Sequence, residues 1–168
     1  MTKLSLYKGS ITDLKIDAIV NAANSTLLGG GGVDGAIHRS AGPGLLAECK
    51  TLGGCPVGEA KITSGYNLLA KFVIHTVGPV WHGGSSNEKQ LLANCYANSL
   101  AIAESLKLSG IAFPNISTGV YMFPKDQAAE IAISEVTKFA RHAENIKEII
   151  FAIFDEENYR IYSQLVKN

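Results

Sequence analysis

Two glycine-bearing loops, each lying between an apolar segment and a helical one, constrain this chain more than any other feature. The first loop, residues 24–35, follows the apolar segment 18–23, and the second, residues 115–124, follows 111–114. Glycine lets backbone N–H groups come within hydrogen-bond distance of a ligand, and the N-terminus of the next helix adds the positive end of its dipole. Two such loops beside one small sheet predict a site that binds a diphosphate from both sides.

Length and charge set the broad class. The chain has 168 residues, which suffice for a buried core without disulfides or structural metal, so we expect a single domain spanning residues 1–168. Fifteen basic residues balance fifteen acidic ones, so no net charge attracts the protein to nucleic acid or to a membrane surface. An anion must therefore be bound by local groups, and nucleic acid is not an expected partner.

Neither a membrane segment nor a metal site is expected. Residues 1–6 alternate as a strand does and lack the apolar run of a signal peptide, and no later segment is long enough to cross a bilayer, so we expect a cytoplasmic protein. Cys49, Cys55 and Cys95 are odd in number and lack C-x-x-C spacing. We therefore expect reduced thiols, without a disulfide framework or zinc site.

Apolar stretches alternate with helical ones through most of the chain. The predicted strands are 3–8, 17–22, 59–65, 71–77, 110–114 and 147–154, and the predicted helices are 33–41, 44–52, 88–108, 125–141 and 156–166. This alternation predicts an α/β domain with a mixed, largely parallel sheet between helical layers. Ligands of such folds bind beyond the carboxyl ends of the strands, where both glycine loops begin. The segment 81–87 is predicted to be a long mobile loop.

The first glycine loop contains a G-x-G-x-x-G pattern at Gly30, Gly32 and Gly35, but its context is not that of a dinucleotide-binding turn. Such a turn leaves its strand directly and has an acidic residue about twenty positions later. Here residues 22–28 intervene, and residues 50–58 contain no acid. Neither loop is followed by the Gly-Lys-Ser/Thr of a phosphate-binding Walker A loop, so the sequence favours neither hydride nor phosphoryl transfer.

Polar side chains surround the first glycine loop. Asn21 and Asn24 precede the glycines, Asp34 follows them, and His38 lies one helical turn further. Asp34 and His38 are i, i+4 neighbours on one helix face and can act together. Alternatively, Asp34 only caps the helix, His38 is a partly buried surface residue, and the two asparagines only tie down a turn. His75 lies in a buried strand, which favours a hydrogen-bonded core histidine over a catalytic one.

Four segments carry a more specific pattern. They are residues 20–24 (Val-Asn-Ala-Ala-Asn), 28–38, 74–79 (Ile-His-Thr-Val-Gly-Pro) and 113–121 (Phe-Pro-Asn-Ile-Ser-Thr-Gly-Val-Tyr). In this order they resemble the macrodomain family, and in particular its MacroD-type branch, over residues 9–155. The resemblance implies a three-layer α/β/α domain that binds ADP-ribose. For the MacroD-type branch it implies a hydrolase without a cofactor, which removes ADP-ribose from acidic side chains of mono-ADP-ribosylated proteins and deacetylates O-acetyl-ADP-ribose.

The resemblance also implies roles for individual residues. Two backbone segments would hold the diphosphate and the distal ribose: Gly30, Gly31, Gly32 and Val33 on one side, and Ser117, Thr118, Gly119, Val120 and Tyr121 on the other. Asn24 would hold the distal ribose, Asp34 would position or activate the attacking water, and His38 would support Asp34. Phe154 resembles the aromatic residue that stacks on adenine, with Asp155 beside it.

Two positions depart from the family pattern. The family usually has Gly-Asp-Ile where this chain has Gly9, Ser10 and Ile11, and that aspartate accepts a hydrogen bond from the adenine amino group. Ser10 and Ile11 are still predicted at the ligand, with weaker recognition of the base. Met122 lies where the family usually has a glycine, so we predict a reshaped loop over the diphosphate. Asn21 completes the predicted ligand contacts.

The implied reaction needs little machinery. An ester at the distal ribose is reactive enough that one oriented water and one carboxylate suffice, without a metal or a covalent nucleophile. A pyrophosphate oxygen of the substrate can assist the water, so Asp34 is either the base or only the group that orients the water. Two other functions stay open: a non-catalytic ADP-ribose reader, which does not need Asp34 with His38, and a regulatory or RNA-linked partner protein, which the neutral charge does not favour.

Overall fold

The computed structural model describes residues 1–166 and contains a six-stranded sheet with five α-helices. The strands are Lys3–Lys8 (β1), Ala18–Ala23 (β2), Ala60–Ser64 (β3), Phe72–Val77 (β4), Gly110–Phe113 (β5) and Glu148–Ile153 (β6). The helices are Gly32–Ala41 (α1), Pro43–Thr51 (α2), Glu88–Ser105 (α3), Lys125–Ala140 (α4) and Glu156–Val166 (α5). All the predicted strands and helices are present, and a short 3-10 helix at Ile11–Asp13 is an addition.

The sheet is mixed and largely parallel, as predicted. Its strand order is β1-β6-β5-β2-β4-β3, and only the edge strand β3 runs antiparallel to its neighbour. The carboxyl ends of the five parallel strands therefore lie at one edge of the sheet. Both glycine loops leave the sheet at this edge, the first after β2 and the second after β5.

Helices cover both faces of the sheet and produce the predicted three layers. Successive strand residues point to opposite faces. Val20 and Ile74 accordingly pack in one buried cluster with α3, α4 and α5, whereas Ile19 and Val73 pack in a second cluster with α1 and α2. Among residues 1–166, no helix is both long enough and apolar enough to span a membrane.

The loop 81–87 is anchored rather than free along its length. The backbone N–H groups of His82, Gly84 and Ser86 donate to the carboxylate of Glu88 at 2.8, 2.9 and 2.6 Å. Burial favours the protonated form of Glu88, but these N–H donors lower its pKa to about 2. The predicted mobile loop is therefore tied to the start of α3 by one ionised carboxylate.

Candidate functional site

A cavity of about 400 Å³ opens at the carboxyl ends of β2 and β5, between the two glycine loops. Its volume is within the range of small-molecule sites. The residues that line it are Ala22, Ala23, Asn24, Gly30, Gly31, Gly32, Val33, Asp34, Gly78, Asn115, Ile116, Ser117, Gly119, Val120 and Tyr121. The site predicted from the two loops is therefore a real concavity, although Thr118, one of the predicted ligand contacts, is not part of its lining.

The glycines of the first loop have different physical reasons to be glycine. Gly32 has φ +57°, a left-handed conformation that side chains rarely adopt. At Gly31 a Cβ atom would meet no atom within 4 Å, so this position faces open space. At Gly35 a Cβ atom would lie 2.6 Å from the carbonyl oxygen of Gly30, so only glycine lets α1 pack this closely against the loop.

Asp34 does not cap α1, so that alternative is wrong. The helix begins at Gly32 with Gly31 as its N-cap, and no side chain among residues 1–166 caps its N-terminus. The Asp34 side chain instead turns toward the sheet, where its Oδ1 accepts a hydrogen bond from Asn21 Nδ2 at 2.9 Å. The first turn of α1 therefore leaves backbone N–H groups at the cavity wall, where an anion is favoured.

The second carboxylate oxygen of Asp34 remains available to a ligand. Asp34 is only 4% exposed, yet it lines the cavity. No hydrogen-bond donor in the described chain, residues 1–166, reaches its Oδ2, which lies beside Gly30. Burial raises the pKa of Asp34, against the opposing effects of the Asn21 hydrogen bond and of the His38 charge. The site thus holds a carboxylate that is more basic than usual, with one oxygen fixed and one directed at the cavity.

His38 lies beside Asp34, as their spacing on the helix predicts. Its Nε2 is 3.4 Å from Asp34 Oδ1, close enough for a charge interaction when the ring is protonated, but without hydrogen-bond geometry. The same Nε2 atom is buried and has no hydrogen-bond partner within residues 1–166. His38 is therefore placed to act on the carboxylate through its charge when the ring is protonated.

Asn21 lies behind Asp34 instead of lining the cavity, contrary to the prediction that it contacts the ligand. Its side chain is fully buried because it points from β2 into the layer between the sheet and α1. Asn21 Nδ2 contacts His75 Nδ1 at 3.2 Å in addition to Asp34 Oδ1 at 2.9 Å. The asparagine therefore holds the carboxylate from the interior side.

Asn24 ties down the turn after β2, as one of the alternatives predicts. Its Nδ2 donates to the carbonyl oxygen of Gly29 at 2.9 Å, and its Oδ1 accepts from the N–H of Thr26 at 3.1 Å. Asn24 also lines the cavity, where its second amide hydrogen can reach a ligand. The role at the distal ribose stays a prediction.

The second loop forms the opposite wall, and its path depends on a close approach to Gly78. Ser117 has φ +68°, and its Oγ is buried without a partner among the residues described, 1–166. A Cβ atom at position 78 would lie 2.2 Å from this Oγ. Gly78 was missed as a site residue in the sequence, although a glycine directly after a buried strand is the signal that indicates it.

Met122 adopts the left-handed conformation, with φ +63°, and the turn still forms. Its N–H donates to the carbonyl oxygen of Gly119 at 3.0 Å, and Phe123 N–H donates to that of Ser117 at 2.9 Å. Trp81 N–H holds the neighbouring carbonyl of Tyr121 at 2.8 Å. Backbone hydrogen bonds thus hold the second loop in place, although Met122 occupies a left-handed position that favours glycine.

The residues predicted at the adenine lie outside the cavity, along the same edge of the sheet. Phe154 follows β6 and is 78% exposed, which leaves its ring face accessible for stacking. Gly9, which follows β1, donates its N–H to the carbonyl oxygen of Ile153 at 3.0 Å, so the ends of β1 and β6 are adjacent. Ser10 and Phe154 are consequently placed near each other.

Ser10, Ile11 and Asp155, which are also predicted at the ligand, have structural roles that the sequence did not show. Ser10 Oγ caps the 3-10 helix by accepting from the N–H of Thr12 at 3.3 Å, and the side chain of Ile11 is buried in the core. The Asp155 carboxylate accepts from the backbone and side-chain N–H groups of Asn158 at 3.1 and 2.9 Å. Burial works against ionisation of Asp155, but these bonds lower its pKa. Any contact of Ile11 with a ligand must therefore use its backbone.

The three cysteines are buried free thiols. Burial raises the pKa of Cys49 and of Cys95 to about 11, so both stay protonated near neutral pH and are poor nucleophiles. In the part of the chain that the structure describes, no three His, Cys, Asp or Glu side chains group as metal ligands.

A six-stranded mixed sheet between helices, with a glycine-lined cavity and a buried carboxylate at its carboxyl edge, defines an α/β protein built to hold an anionic ligand. The family model for the Macro domain matches residues 20–132, more than half of the chain. The protein therefore belongs to the macrodomain family, and the resemblance seen in the sequence, including that to the MacroD-type branch, is confirmed.

Individual relatives agree with this assignment. A Macro domain-containing protein of Methanosarcina mazei is 60% identical over 90% of this chain and 80% of its own length. The ADP-ribose glycohydrolase MACROD2 of Xenopus laevis is 54% identical over 96% of this chain, which corresponds to 39% of that longer protein.

Solved structures match equally well. The Oceanobacillus iheyensis macrodomain with ADP has a TM-score of 0.92 and 44% identity, covering 96% of this chain and 88% of that one. The Trypanosoma brucei macrodomain in complex with ADP-ribose also has a TM-score of 0.92, with 48% identity over 97% of this chain and 68% of that one.

Proposed function

We propose that this protein binds ADP-ribose and hydrolyses its esters, releasing ADP-ribose from modified Asp and Glu side chains of proteins and from O-acetyl-ADP-ribose. One observation carries the proposal. Asp34 is a buried carboxylate with Oδ1 fixed by Asn21 and Oδ2 turned to a cavity that two glycine loops enclose. A group in this position can orient a water molecule against a bond held between the loops.

Ligand binding rests on the walls of the cavity. The N-terminus of α1 and the loop 117–121 face each other and present backbone groups suited to a diphosphate. The solved relatives that bind ADP and ADP-ribose support this assignment. Phe154, exposed at the same edge, supplies a ring face for the adenine.

The chemistry balances without another reactant. The water oxygen attacks the ester carbon while its proton passes to Asp34 Oδ2 or to a substrate phosphate oxygen. The bond between the acyl carbon and the ribose oxygen then breaks, and the ribose oxygen takes up a proton. The products are a carboxylic acid and ADP-ribose. The raised pKa of Asp34 suits a group that accepts a proton in this step.

A non-catalytic reader would need the two loops and the aromatic ring but not this carboxylate. Asp34 is costly to bury, and Asn21 and His38 surround it with groups that favour its charged form. In a reader such a carboxylate would serve only to accept hydrogen bonds from ribose hydroxyls. The hydrolase name of the MACROD2 relative favours the hydrolase.

The test is release of free ADP-ribose, followed by chromatography. The purified protein is incubated separately with O-acetyl-ADP-ribose, with a protein mono-ADP-ribosylated on glutamate, and with one modified on arginine as a non-ester control. We expect release from both esters well above the rate without protein, and none from the arginine linkage. Calorimetric binding of ADP-ribose without release from either ester would instead identify a reader.

A further inference from the structure

A buried chain of polar side chains runs behind Asp34 across three neighbouring strands. Thr63 on β3, His75 on β4 and Asn21 on β2 all point toward the α1 and α2 side of the sheet, and Asn21 and His75 are direct register partners. The contacts are 2.9 Å from Thr63 Oγ1 to His75 Nε2 and 3.2 Å from His75 Nδ1 to Asn21 Nδ2. The 2.9 Å bond from Asn21 to Asp34 completes the chain.

With Asp34 ionised, the chemistry of these groups fixes the direction of each hydrogen bond in the chain. An ionised carboxylate only accepts, so Asn21 must turn its NH₂ group to Asp34. The second N–H of that group then points at His75 Nδ1, which must accept. The ring proton of His75 is therefore on Nε2, which donates it to Thr63 Oγ1 at 2.9 Å and also lies 3.8 Å from Cys49 Sγ.

His75 is suited to this role because it stays uncharged. Its side chain is 0% exposed, and burial, with a smaller effect of the His38 charge, lowers its pKa to about 4. A neutral ring has one donor nitrogen and one acceptor nitrogen, as the contacts to Thr63 and Asn21 require.

We propose that His75 and Thr63 are positioning residues for Asp34: Thr63 accepts the Nε2–H of His75 and holds its ring in place, and His75 holds the Asn21 amide so that Asp34 keeps Oδ2 turned toward the cavity. The inference rests on the proposed hydrolase function. Neither residue lines the cavity, so both act through Asn21 and not on the ligand. Three adjacent strands of one sheet form the support, which makes the arrangement rigid.

Two variants at position 75, whose side chains are similar to each other in size, separate the effect of the hydrogen bond from the effect of packing. His75→Leu removes the acceptor for Asn21, whereas His75→Asn leaves a similar gap but keeps an oxygen near the place of Nδ1. We expect His75→Leu to lower kcat on O-acetyl-ADP-ribose about tenfold or more, with the Kd for ADP-ribose within about threefold of wild type. His75→Asn should recover most of the lost kcat. Ile74→Val, a buried change on the opposite face of β4, controls for lost stability.

Equal kcat values in His75→Leu and His75→Asn would overturn the proposal, because the acceptor would then not matter. A second measurement does not depend on catalysis. Long-range ¹H–¹⁵N NMR spectra of the wild-type protein near pH 7 should show His75 as the neutral Nε2–H tautomer, and Thr63→Val should disturb that signal. A protonated ring or an Nδ1–H tautomer would contradict the proposal even if the protein proved to be only a reader.

Discussion

Asn21 Nδ2 donates a hydrogen bond to Asp34 Oδ1 at 2.9 Å from a side chain that is fully buried. The orientation of the cavity carboxylate is therefore decided from inside the protein, by a residue of the central sheet. The direction of the Asp34 carboxylate is therefore set by β2, and the hydrogen bond from Asn21 opposes the larger effect of burial on the Asp34 pKa.

The pH dependence of hydrolysis should report this bond. Hydrolysis needs ionised Asp34, so kcat should fall as pH drops through a pKa above the ordinary 3.8 of an aspartate, because burial raises it. The Asn21 bond favours the charged form, and its loss in Asn21→Leu should move the acid limb to still higher pH. A pH profile of kcat for the two proteins measures this. An acid limb that stays in place or moves down would contradict the assigned contact.

His75 should make folding stability depend on pH. Its pKa is about 4 in the folded protein and 6.5 in the unfolded chain, so the unfolded chain binds the proton first as pH falls from 6.5. The contribution of neutral His75 to the free energy of unfolding is complete above pH 6.5, and it decreases by about 3 kcal/mol by pH 4. The free energy of unfolding in urea should thus fall more between pH 7.5 and pH 4 in wild type than in His75→Asn. Equal changes in both would show that His75 titrates normally.

Gly31 and Gly32 should respond differently to valine. At Gly31, where φ is −93° and a Cβ meets no atom within 4 Å, valine should leave the melting temperature nearly unchanged but lower ester hydrolysis about tenfold, because its side chain enters the cavity. At Gly32, with φ +57°, valine adds about 1–2 kcal/mol of strain and should lower Tm by about 2–8 °C. Calorimetric melting and activity assays separate the two. A large Tm loss in Gly31→Val would count against the assignment.

Ser10→Asp should restore a charged acceptor near the base. Aspartate caps helices as well as serine does, so the 3-10 helix at Ile11–Asp13 should persist. A charged hydrogen bond to the adenine amino group should tighten ADP-ribose binding about tenfold, or about 1.4 kcal/mol. The inosine analogue, which lacks that amino group, should gain less. Titrations that show no gain for either ligand would mean that position 10 does not face the base.

Most of the fold was predictable because its strands and helices differ in period and most of them are separated by glycine or proline. The cavity was predictable for the same reason, since both loops follow apolar strands. The order of the strands in the sheet could not be predicted from the sequence in this way. β2 lies beside β4 although β3 comes between them in sequence, so the contact between Asn21 and His75 depends on a pairing that no local pattern indicates.

Side-chain positions were likewise predictable where they depend on local spacing, and not where they depend on how distant parts of the chain pack together. The neighbourhood of Asp34 and His38 follows from helix spacing alone and is confirmed, as is a hydrogen-bonded core position for His75. Whether Asn21 faces the ligand or the interior depends on where the sheet buries it, and that prediction was wrong. Gly78 is at the site because another loop approaches it, which its own neighbours in sequence do not reveal.

The most direct test of the account is the kinetics and ligand binding of Asp34→Asn, which keeps an acceptor for Asn21 but removes the charge and replaces Oδ2 with an NH₂ group. We expect kcat on O-acetyl-ADP-ribose to fall at least about tenfold, or 1.4 kcal/mol, while the calorimetric Kd for ADP-ribose stays within about threefold. Glu130→Gln, the same kind of change at an exposed position on α4, should leave both unchanged. Retention of more than about a tenth of the wild-type turnover by Asp34→Asn would contradict the role of Asp34 in hydrolysis.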